Sequence, residues 1–144
     1  MVKKLSFEKF KEIYSEVPRL CVEVFIKNDR GILLTLRDID PYKGYWHFPG
    51  GTVLKGESLE ETAVRVAEEE LGIKVSPQKF LGIIQWGEDL HYPAGVFSVV
   101  CLSKIVSGEI KVDEQSKEAR FFKELPSNII PKHKEFLASQ KLFE

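Results

Sequence analysis

Residues 51–73 read GTVLKGESLEETAVRVAEEELGI, and this stretch decides the fold. On a helix of roughly 100° per residue, Leu59, Ala63, Ala67 and Leu71 form an i, i+4 line suited to a core-facing stripe. Gly72 stops the helix. Glu69 and Glu70 lie beside the stripe rather than opposite it. Arg65 stands one turn before Glu69 and Glu61 one turn before Arg65, so a Glu–Arg–Glu ladder is sterically available. Glu57 sits at the helix entrance, after a Gly-containing turn. A solvated acidic face is the plain account of these charges, and it is the account for Glu60 and Glu61. Glu68, Glu69 and Glu70, however, crowd the helix C-terminus, where each opposes the macrodipole by several tenths of a kcal/mol. A divalent cation would reverse that penalty, because hard cations gather carboxylate and phosphate oxygens. The upstream glycines would let backbone approach the same ion.

Outward from this stretch the chain alternates strand and helix signals. Residues 6–17 carry Phe7, Phe10, Ile13, Tyr14 and Val17 near helical spacing, with Ser6 as cap and Pro18 as terminator. RLCVEVFI, the NDRG turn and ILLTLR predict a hairpin over 20–37. KFLGIIQWGED and AGVFSVVCLSKIV predict a second hairpin, closed by a loop containing His91 and Tyr92. A short strand is expected near EIKV, another around EARFF, and a last helix over PKHKEFLASQKLF with Phe136, Leu137 and Leu142 near one face. No repeat or linker breaks the chain, so residues 1–144 read as a single α+β domain with helices packed on a sheet.

Composition narrows the function classes. The 144 residues carry 21 basic and 22 acidic side chains, a net charge of -1. That balance argues against a broad nucleic-acid or membrane surface. No apolar run approaches the roughly 20 residues of a spanning helix. The charged N-terminus does not read as a signal peptide. Cys21 and Cys101 lie in apolar strand segments and read as buried thiols, which fits a reducing, cytoplasmic setting.

The spacing from Gly51 is five residues to Glu57, seven more to Arg65, then Glu69, Glu70, Gly72 and Ile73. It resembles the Nudix box, G-x5-E-x7-R-E-U-x-E-E-x-G-U, where U is a bulky aliphatic residue. GYWHFPGG resembles the family's entry to the box and EARFFKELP its closing strand. The resemblance implies an α/β/α sandwich with a mixed β-sheet and Mg²⁺- or Mn²⁺-assisted hydrolysis of a nucleoside diphosphate linked to another group. It implies metal ligation by Glu69 and Glu70, joined by a backbone carbonyl near Gly51, with Glu57 as a further ligand or a hydrogen-bond acceptor behind the ligands. Arg65 would orient the glutamates. The partner is a small-molecule nucleotide, and since many members dimerise, a homodimer is compatible with the resemblance.

One position departs from the pattern. The family's Arg-Glu is Arg65-Val66, and in several members that glutamate is a metal ligand or the general base. Valine does neither, and Ala67 is small for the aliphatic position. A carboxylate at 66 is expected to face the same ion as Glu69 and Glu70. The GDP-mannose mannosyl hydrolase branch also lacks this glutamate and attacks the sugar carbon. Glu23 in PRLCVEVFI, Arg37 in LLTLR and Gln115 in DEQSKEARFF resemble that branch in order and spacing. The likeness implies a substrate-site Glu23, phosphate contact by Arg37 and metal ligation by Gln115. Yet Ser116 stands where that branch has a histidine base, and both box glutamates are kept. Glu114 and Glu118 are therefore candidate replacement bases. Three readings stay open: diphosphate hydrolysis, glycosyl hydrolysis of a GDP-sugar, and a nucleotide-binding domain with weak catalysis.

Other residues are weighed on chemistry alone. His47 is a candidate to line the substrate site, with packing as the equal alternative. Trp86 and His91 stand in or beside the lid-like loop, where aromatic rings suit a base or sugar. Trp46 and Phe48 are expected in the core, and His133 on the surface.

Overall fold

The computed structural model describes residues 3–87, 93–111 and 116–141, without the side chains of 116 and 117. Its elements are α1 (Phe7–Tyr14), β1 (Arg19–Phe25), β2 (Lys27–Asn28), β3 (Gly31–Arg37), β4 (Trp46–His47), β5 (Gly50–Thr52), α2 (Leu59–Leu71), β6 (Lys74–Gly87), β7 (Val96–Ser107), β8 (Ser116–Phe122) and α3 (Pro131–Ser139). The first sheet runs β5-β1-β7-β6 and is mixed, since β1 pairs parallel with β7 while its other pairs are antiparallel. The second sheet joins β2, β3 and β4, with β8 paired to β3. The β6–β7 hairpin forms as its sequence predicts.

The expected hairpin over 20–37 does not form as one unit. β1 is flanked by β5 and β7, while β3 pairs with β2, β4 and β8. Cys21–Phe25 is buried at every position, the mark of an interior strand covered on both faces. With both edges taken, β1 offers no ladder to β3, and the chain changes sheet after Ile26.

Alternation along β1 divides the core. Val22 and Val24 pack with Ala63, Val66, Ala67 and Leu71 of α2. Phe25 packs on the other side with Phe48, Phe136 and Leu137. The first sheet is thus sandwiched between α2 and α3, an α/β/α arrangement, and each fully buried aliphatic contributes about 1.5–3 kcal/mol.

The ends of α2 are closed by its own sequence. Ser58 accepts from Glu61 N–H and the Glu61 side chain accepts from Ser58 N–H, a reciprocal capping box. At the far end Gly72 adopts φ 69°, the left-handed conformation that favours glycine. The expected EIKV strand is absent over residues 108–111. Lys111 N–H instead donates to Leu71 O at 2.5 Å, so this segment straps the helix end. α1 starts on Ser6 as expected, but none of its residues is buried, and Phe7 is 66% exposed. Both cysteines are free and buried.

Candidate active site

The site begins where α2 meets β5. Arg65 forms a two-toothed fork on Glu57, its Nε donating to Oε2 at 2.7 Å and its Nη2 to Oε1 at 3.0 Å. The same Nη2 donates to the Thr52 carbonyl at 2.7 Å, and Nη1 to Glu69 at 3.2 Å. Glu57 also accepts from Leu54 N–H and Thr62 Oγ1. The fork, the backbone donor and the hydroxyl hold its carboxyl below the usual range despite burial. Lys4 adds a bond to Glu69 at 2.9 Å. Glu70 reaches around the helix end and accepts from Gly50 N–H at 3.1 Å. Glu57, Arg65 and Glu69 open onto a groove of about 580 Å³ along α2.

Val66 is 2% exposed and packs in the core under β5, where a Cβ on Gly51 would come 3.0 Å from its Cγ2. Position 66 therefore faces β5 at Gly51, the residue whose backbone is expected near the ion, and a carboxylate here would approach that ion from within the core rather than from the surface that Glu69 lines.

The opposite face of the sheet carries a second set of polar side chains. Register places Cys21 beside Thr52 on β5 and Ser98 on β7, and Glu23 beside Gly50. Directly opposed residues share a face, so Thr52, Cys21 and Ser98 form a row. Arg19 Nε donates to Thr52 Oγ1 at 2.7 Å, and Trp86 Nε1 to Ser98 Oγ at 2.8 Å. Burial pushes the Cys21 thiol up to about 11. The sequence reading missed Arg19, Thr52 and Ser98. The available signal was polar residues breaking apolar strands, as Ser98 does in VFSVVCL.

Beneath this row lies a histidine expected on the surface. His133 is instead 1% exposed, because its ring stacks on Phe48 at 4.0 Å and both nitrogens find partners. Nδ1 accepts from Phe48 N–H at 3.3 Å, and Nε2 meets Glu23 Oε1 at 2.5 Å. Trp86 stands edge-on to it at 5.1 Å and His47 stacks at 6.4 Å. His47 Nδ1 lies 2.7 Å from Phe48 O and Nε2 3.2 Å from Thr35 Oγ1. A carbonyl only accepts, so Nδ1 carries the proton, and burial lowers the His47 pKa to about 3.

The remaining candidates fall elsewhere. Arg37, at the end of β3, donates to Pro41 O. Glu118 pairs with Arg120 at the surface of the second sheet, at 2.9 Å. Glu114, Gln115 and His91 lie outside the described residues. Trp46 and Phe48 are core, as expected.

The NUDIX domain family model matches residues 17–140. The chain belongs to the Nudix family. It is a Nudix hydrolase by that membership and by its relatives. It is 34% identical over 122 residues to an ADP-ribose pyrophosphatase of Methanocaldococcus jannaschii, covering 85% of this chain and 70% of that one. It is 30% identical over 128 residues to the low-salt glycan biosynthesis protein Agl8 of Haloferax volcanii, covering 83% and 80%. A MutT Nudix hydrolase structure from Burkholderia pseudomallei superposes with a TM-score of 0.72 at 28% identity, covering 84% of this chain and 96% of that one. The mixed-sheet sandwich expected from the box is the fold observed.

Proposed function

We propose that this Nudix hydrolase cleaves the diphosphate bond of a nucleoside diphosphate linked to a small group, a nucleotide or nucleotide sugar, with a divalent cation. The observation that carries the reading is the convergence of Glu70 on Gly50 beside the Glu57–Arg65–Glu69 lattice. Similarity to an ADP-ribose pyrophosphatase supports the bond, and similarity to a glycan biosynthesis protein supports a sugar-bearing substrate.

The donors here fit a hard cation. They are carboxylates and backbone oxygen rather than thiolate or imidazole. Among the described residues no group of three or more His, Cys, Asp or Glu stands close enough to hold an ion. Glu69, Glu70 and the backbone near Gly51 would hold it, with phosphate oxygens completing the shell. The bound cation supplies charge neutralisation on phosphate and a more acidic water. Arg65 keeps Glu57 and Glu69 apart and oriented. Gly50 N–H fixes where the Glu70 carboxylate points.

A second reading, attack at the sugar carbon, is favoured by the absence of a carboxylate at Val66. Hydrolysis of a nucleotide-sugar panel in ¹⁸O-water with Mg²⁺ tests both. Label in a phosphate product supports diphosphate cleavage, and label only in the sugar supports the second reading. Saturable binding without turnover on the whole panel overturns both in favour of a binding domain. Turnover unchanged by EDTA would remove the metal from the proposal.

A further inference from the structure

Glu23 is a carboxylate on the middle strand of the first sheet, 5% exposed. Oε1 is held by His133, while Oε2 is buried and has no hydrogen-bond partner among the described residues. An unsatisfied buried acceptor costs about 1–3 kcal/mol, and more when charged. Such a group in a folded chain calls for an explanation, and a catalytic role is one.

The geometry assigns His133 its tautomer. Its Nδ1 receives the Phe48 amide proton, so Nδ1 is bare and Nε2–H donates to Glu23. Stacking on Phe48 and the edge of Trp86 fix the ring plane. Glu23 is thus gripped at one oxygen by a donor that cannot swing. Its Cγ lies 3.0 Å from where a Cβ on Gly50 would stand, and the Gly50 amide holds Glu70. The two carboxylates therefore approach the same glycine from different sides. Cys21 and Ser98 sit in the adjoining row of the same face.

We propose that Glu23 is the proton acceptor of the hydrolysis and that His133 is the residue that positions it, an assignment that rests on the hydrolase reading above. It supplies the carboxylate that Val66 removes from α2, from the other side of β5. Glu23 Oε2 takes a proton from the attacking water as that O–H bond breaks. The water oxygen bonds to the electrophilic centre, the bond to the leaving phosphate oxygen breaks, and the leaving group departs with that electron pair. No oxidant or reductant is needed. The orphaned oxygen receives the proton.

Glu23→Gln keeps shape and the bond from His133 while removing the acceptor. It is expected to lower kcat at least 100-fold, with KM within about threefold and an unchanged melting transition. Glu23→Ala is expected to regain at least tenfold in rate with formate, a small carboxylate able to enter the vacated space. His133→Gln, which retains an N–H near the Nε2 position, is expected to keep more activity than His133→Phe, which keeps only the stacking ring. Glu70→Gln serves as the control for the metal reading. A wild-type chain inactive on every nucleotide substrate overturns the hydrolase reading. An active wild type with Glu23→Gln within threefold in kcat, or Glu23→Ala unmoved by formate, overturns this assignment alone.

Discussion

Val66 lies directly beneath Gly51: the space a Cβ would need on the glycine is within 3.0 Å of the valine methyl. The residue that departs from the box pattern therefore fills the space that a side chain on the residue that begins it would need. Val66→Glu would place a carboxylate in an apolar layer of Val22, Val24 and Ala63. An uncompensated buried charge of this kind costs about 3 kcal/mol or more. The expected result is a lower urea midpoint in EDTA, partly recovered on adding Mg²⁺. An unchanged midpoint in EDTA would contradict the burial of this position.

Glu70→Gln tests the metal end of the site. The amide still accepts from Gly50 N–H, so the fold should hold. Loss of the negative oxygen should lower kcat by at least an order of magnitude at saturating Mg²⁺. An unchanged kcat would remove Glu70 from the ligand set.

Arg65→Leu tests the fork. Hydrogen bonds to charged groups are worth about 1.5–3 kcal/mol, and the fork supplies two to Glu57. Because Arg65 lowers the Glu57 pKa in the folded state, the unfolded chain binds the proton more readily. The stabilisation is present above the ordinary value of 4.5 and is lost as pH falls through the folded value. Denaturation midpoints of wild type and variant should therefore differ most near neutrality and converge in acid. A gap independent of pH would assign the loss to packing.

His47 titrates in the opposite chemical sense with the same outcome. Burial lowers its pKa from 6.5 to about 3, so the folded chain keeps it neutral while the unfolded chain protonates. Stability is full above about 6.5 and falls toward pH 3, by at most about 1.4 kcal/mol per pH unit for one proton. His47→Gln should flatten unfolding free energy between pH 6 and 4. An unaltered slope would show that another group sets it.

The box helix was legible because its signals are local. Ser58, Glu61 and Gly72 each act within one turn, and Leu71 and Ala67 show their face by spacing. Sheet partners were less legible, since β1 and β3 are separated by a turn that suits a hairpin. Only the fully buried pattern of Cys21–Phe25 distinguishes an interior strand from one arm of a hairpin. His133 was beyond reach for another reason. Its partner Glu23 is 110 positions away, and a histidine among lysines reads as exposed until the helix is docked. The burial of Val66 is a further case, because helix spacing gives an angle, whereas burial depends on what lies across from it.

The closed ends of α2 carry a consequence for how this segment can change. With a capping box at Ser58 and a left-handed glycine at 72, both ends of the helix are set by particular residues, so an extra residue between them changes the turn count. One insertion between them would swing Glu70 by roughly 100° around the axis and carry it off Gly50. Side chains along the helix can be exchanged singly, as the valine at 66 illustrates, whereas its length behaves as a ruler. Tolerance here is to spelling and not to count.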